Sequence, residues 1–115
     1  MMTKSHRSAV ISLSDAQARI PSPESDHAVT LLEHGTLKVK LSLPVRPTVQ
    51  TPHTQDELYI IVRGRGVLVH DGRRDPFKAG DLLFVAAGTE HQIENFTDLA
   101  LWVVFYGVTG GEVAA

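Results

Sequence analysis

Residues 57–72 read ELYIIVRGRGVLVHDG, and this stretch decides the fold. Leu58, Tyr59, Ile60, Ile61 and Val62 are strand formers, because β-branched and aromatic side chains pack well on a pleated surface. Gly64 and Gly66 close that run. Val67 to His70 then lead into Asp71-Gly72, a dipeptide that tolerates the positive φ angles of a two-residue hairpin turn. Strand, break, strand and tight turn leave no room for a helix.

The same grammar extends in both directions. Downstream, Phe77 and Lys78 precede Ala79-Gly80, Leu82 to Val85 form a strand, and Ala87-Gly88 end it. His91 to Phe96 and Leu99 to Tyr106 are expected to pair across Thr97-Asp98. Upstream, Ala28 to Glu33 read as a strand turned by Gly35. Leu37, Val39, Leu41 and Leu43 then alternate with Lys38, Lys40 and Ser42, the period of a half-buried strand. Val49 to His53 supply another. About eight or nine short strands with no crossover helix predict an all-β antiparallel sandwich or barrel, and a jelly roll is one way to close it.

Residues 1–23 read as an arm, in which Val10, Ile11 and Leu13 could make a short strand. Ser14 could cap a helical turn through Asp15, Ala16, Gln17 and Ala18 before Pro21 and Pro23 end it. Residues 24–108 form the barrel and 109–115 a tail.

A chain of 115 residues suffices for one domain that buries roughly two-thirds of its unfolded surface. It contains no cysteine, so any metal must be held by nitrogen and oxygen. The formal charge of -2 offers no broad basic surface for nucleic acid. Arg63, Arg65, Arg73 and Arg74 cluster in sequence but fall around turns, where charge is normally solvated. The apolar run Ala9 to Leu13 lacks the pattern of a signal peptide, and Leu99 to Val108 is about half of the ~20 residues a membrane helix needs. The expectation is a soluble cytoplasmic protein.

His53 and Glu57 share one face of a helix or of a continuous strand, and spacing alone does not choose. The β-rich run after Glu57 and the helix-breaking Pro52 favour strands, with Thr54, Gln55 and Asp56 as a turn between them. His91 opens a later strand, and a barrel gathers sequence-distant strand ends at its mouth. Taken singly, each histidine is more often a hydrogen-bonded structural residue than a ligand. Converging, two imidazoles and one carboxylate suit Fe, Mn, Ni, Co or Zn.

Two spaced patterns sharpen this. Thr51-Pro52-His53, Glu57 and Gly64 form the first; Gly80, Ala86-Ala87-Gly88, His91 and Asn95 form the second. Together they resemble the two motifs of the cupin superfamily, small double-stranded β-helix (jelly-roll) barrels. The resemblance implies that His53, Glu57 and His91 ligate one divalent metal ion, with Gly64, Gly80, Gly88 and Asn95 in structural positions. Thr51 stands where the motif has its first histidine. The site therefore binds through three residues, recruits Gln50 or Thr51 as an additional ligand, or has lost metal. Ala86 replaces a turn proline.

Strand parity places Tyr59 and Ile61 with Glu57, and Ile93 with His91, as pocket-lining residues. Leu58, Ile60 and Val62 point the other way and are still apolar, which calls for a cover such as the second subunit of a homodimer. The resemblance implies either a metal-dependent enzyme (oxygenase, isomerase or lyase) acting on a small molecule, or a sensory barrel that binds one. A sugar isomerase would need a basic, aromatic pocket. No catalytic acid or base stands out in the sequence, and the substrate is not specified by it.

Overall fold

The computed structural model describes residues 8–47 and 52–113. It contains helix α1 (Leu13–Ala18) and strands β1 (Ala28–His34), β2 (Leu37–Ser42), β3 (Asp56–His70), β4 (Arg73–Lys78), β5 (Leu82–Val85) and β6 (His91–Tyr106). The 6-stranded sheet runs β1-β2-β6-β3-β4, with β5 also on β3, and every pairing is antiparallel. This is an all-β jelly-roll barrel.

Among the described residues the strands are fewer and longer than the sequence predicts; the expected strand Val49 to His53 lies largely outside the described residues. Glu57 to Val62 and Val67 to His70 belong to one strand of 15 residues, and His91 to Phe96 and Leu99 to Tyr106 to one of 16. Thr97-Asp98 is thus not a hairpin turn. Both halves of β6 pair with β3 and not with each other, Leu101 opposite Ile61 and Ile93 opposite Leu68. Register shifts between Ile61 and Val67 let the ribbon bend without losing its pairing. Gly64 sits at that bend with φ +86°, and a Cβ there would lie 2.4 Å from the Thr97 carbonyl oxygen. Only glycine fits both demands.

The Asp71-Gly72 hairpin forms as expected, with φ of 49° and 72°. Pro76 is tolerated because β4 is an edge strand, where a missing N–H breaks no ladder.

Two apolar clusters stabilise the sheet. Inside the barrel Tyr59, Ile61, Leu68, Phe77, Val85, Leu101 and their neighbours are buried together. On the opposite side Val29, Leu31 and Leu41 pack against Ala16 of α1, with Ile11, Leu13, Ile20 and Trp102 around them. Ala16 is fully buried, so this part of the expected arm is packed onto the sheet. Its helix is capped by Ser12, not Ser14: the Ser12 Oγ accepts the Asp15 N–H at 3.1 Å. Because α1 covers the leucine face of β2, the alternate face turns inward. Lys40 and Ser42 line the barrel cavity.

Candidate metal centre

Three loops converge at one end of the barrel. Glu57 lies near the start of β3, paired with Val85 of β5. Past β5 the chain turns through Gly88, φ +80°, and re-enters the sheet at His91. The Gly88 N–H donates to the His53 carbonyl at 2.8 Å, which ties the loop before β6 to the loop before β3. Asp56 adds a second tie: its buried carboxylate accepts the Ala87 N–H and the Glu112 N–H, each at 2.9 Å. Those backbone donors, Glu112 first, hold its pKa below the ordinary carboxylate value.

The ligand atoms of His53, Glu57 and His91 all lie within 4.8 Å of one another. Glu57 Oε1 is 3.5 Å from His53 Nε2 and 3.2 Å from His91 Nε2. His91 Nδ1 donates to the Thr89 carbonyl at 2.9 Å, and since a carbonyl only accepts, the neutral ring keeps its lone pair on Nε2. That lone pair faces the site, where the Tyr59 hydroxyl meets it at 3.0 Å. Burial alone would lower the His91 pKa. The nearby Glu57 carboxylate and the Thr89 carbonyl outweigh it and leave the pKa raised. Burial, reinforced by Glu57, pushes the Tyr59 hydroxyl well above its usual range, so it keeps its proton. Phe105 and His53 pack in a T-shaped arrangement at a centroid distance of 4.8 Å, which orients the imidazole.

Two atoms of this set are buried without partners among the described residues: His53 Nε2 and Glu57 Oε1. Buried polar atoms without hydrogen-bond partners are costly, and a cation between them removes the cost. With a second imidazole beside them, the donor set suits a borderline divalent ion. The group could hold a metal.

The cavity beside it has a volume of about 240 Å³. Tyr59 and Ile93 line it. Ile61, at 1% exposure, is buried in the core cluster, opposite Leu101 of the cavity wall. Thr51 and Gln50 lie outside the described residues. Phe105 also lines the cavity, as do Lys40, Arg46 and Phe96, which were not assigned to it from sequence. The register of β2 on β6 could have found Lys40, but a loop arginine such as Arg46 carries no pattern.

Comparison with known proteins gives consistent matches. A family model described as the cupin domain matches residues 44–106. The oxalate-binding protein of Thermotoga maritima is 44% identical over 50 residues, 42% of this chain and 41% of that one. Across the curated relatives matched, the chain covers between 41% and 54% of their length. A cupin-2 domain containing protein from Shewanella frigidimarina superposes with a TM-score of 0.71 at 18% identity, over 85% of this chain and 95% of that one. A predicted oxalate decarboxylase from Thermotoga maritima gives 0.59 at 28% identity, over 70% and 79%.

Proposed function

The chain belongs to the cupin domain family, and on that premise we propose that it binds one divalent metal through His53, Glu57 and His91 and acts on a small organic molecule in the adjoining cavity. The reaction class is that of a metal-dependent oxygenase, isomerase or lyase. The observation that carries the reading is the pair of buried, unpartnered atoms, His53 Nε2 and Glu57 Oε1. When bound, the ion supplies Lewis acidity toward a substrate oxygen.

The residues around it have separable tasks. Thr89 fixes the His91 tautomer, and Phe105 fixes the His53 ring. Tyr59 holds a proton on its hydroxyl beside His91 Nε2. Ile93, Phe96 and Val103 keep water from the inner wall of the cavity.

A second reading, a binding barrel without turnover, is favoured by the name of the oxalate-binding relative. Protein loaded with Fe(II) or Mn(II) and mixed with small acids, phenols and thiols separates the two. Oxygen uptake or a product seen by NMR supports an enzyme; saturable binding without either supports a carrier or sensor. Neither turnover nor binding would reject both readings. We further propose a homodimer that covers the exposed Ile60, Leu82 and Phe84.

A further inference from the structure

Resting on that metal reading, we infer that Asp56 is a positioning residue of the site and that residues 107–112, the segment after β6, clamp the ligand loop through it. β3 begins at Asp56, so among the described residues no ladder holds Thr54 and Gln55. All three residues between His53 and Glu57 are bonded to the segment after β6 instead. The Gly110 N–H donates to the Thr54 carbonyl at 2.7 Å. The Gln55 side-chain amide donates to the Gly107 carbonyl and to the Thr36 carbonyl, each at 2.9 Å. The Glu112 N–H donates to Asp56 Oδ2 at 2.9 Å.

Asp56 is the centre of this arrangement because its two carboxylate oxygens have different partners. Oδ2 takes the segment after β6, and Oδ1 accepts the Ala87 N–H at 2.9 Å from the turn that leads to His91. One buried side chain thus joins the elements that carry all three candidate ligands. The segment is shaped for the contact. Gly111 has φ +90°, and a Cβ on it would lie 2.8 Å from Asp56 Oδ1 and 3.1 Å from the Ala87 Cβ. The Glu112 carboxylate turns back to accept the Val108 N–H at 3.1 Å, which closes the segment on itself. A functional site needs its groups held within about 0.5 Å of the productive geometry. A clamp on the spacer between His53 and Glu57 therefore bears on metal affinity as well as on stability.

The test loads full-length protein with Co(II), whose visible absorption reports coordination geometry, and measures affinity by competition with a chelator. Asp56→Asn keeps the shape of the side chain but offers one oxygen where two are used, so one backbone N–H loses its acceptor. Gly111→Ala disturbs the same contact from the other side and leaves Asp56 in place. Each variant is expected to bind Co(II) about tenfold more weakly than the wild type, with an altered absorption band. Ser12→Ala removes the cap of α1 on the opposite side of the sheet and controls for lost stability alone. It should keep the wild-type affinity and spectrum, and an equal loss in this control would overturn the inference. Folded Asp56→Asn and Gly111→Ala proteins that match the wild type in both readouts would overturn it and leave the metal reading standing. If Asp56→Asn does not fold, Gly111→Ala decides by the same criterion. Wild-type protein that takes up no Co(II) would overturn the metal reading and this inference with it.

Discussion

Nε2 of His91 stands 3.2 Å from Oε1 of Glu57, although the strand register pairs Glu57 with Phe105 and His91 with His70. The two residues occupy opposite ends of the β3–β6 ribbon. They meet because the ribbon folds over at Gly64, so the candidate site depends on a bend remote from it in sequence.

Gly64→Ala is therefore expected to destabilise the protein by about 2 kcal/mol or more, since the substitution adds backbone strain to a collision with the Thr97 and Asp98 carbonyls. Gly72→Ala is the control. Gly72 also has positive φ, but open space surrounds its Cβ position, and the cost should be about 1 kcal/mol. Urea unfolding of the two variants measures the difference; equal losses would contradict a bend set by close packing at Gly64.

Tyr59→Phe removes the hydroxyl that meets the His91 lone pair in the metal-free protein. Loss of this buried hydrogen bond should cost the metal-free form about 1 kcal/mol. Metal content should stay at the wild-type level, because the hydroxyl competes for the ligand atom and is not counted among the ligands. Thermal melts of stripped and loaded protein report both effects.

The raised His91 pKa gives the two forms opposite pH responses. In the metal-free protein its contribution to stability is fully present below the ordinary imidazole value of 6.5 and is lost as pH rises through the higher folded value. Metal binding requires the neutral ring, so occupancy falls as pH drops through the same window. Melting temperatures of stripped protein should therefore rise on acidification across it, while the stabilisation by added Mn(II) shrinks. Parallel responses would count against His91 as a ligand.

Much of this architecture was legible in the sequence, and the failures have common causes. The Asp71-Gly72 hairpin and the β-rich run after Glu57 are local properties, and both were readable. The union of His91–Phe96 with Leu99–Tyr106 was not, because each half pairs with β3 far away in sequence, and Asp98 adopts a turn-like φ of 48° inside a continuous strand. The alternation of β2 was plain, but not which face turns inward. That depends on α1, whose Ala16 claims the leucine side. His53, Glu57 and His91 stood out by motif spacing, and the bend in the ribbon brings them together.

Phe84→Glu tests the proposed dimer. Phe84, at 53% exposure, pairs with Leu58 across the β3–β5 ladder, and Leu82 and the neighbouring Ile60 extend the apolar patch. Sedimentation should show a dimer for the wild type and a folded monomer for the variant. A wild-type monomer at high concentration would remove the proposal.

The most direct measurement is metal analysis of the purified protein, after loading with Mn(II), Fe(II) or Zn(II), beside His53→Ala and His91→Ala. Stoichiometric metal in the wild type, with affinity reduced at least about tenfold in each variant while both remain folded, is the predicted result. Wild-type protein that takes up none of the three ions, or folded variants that retain metal unchanged, would contradict the three-ligand centre.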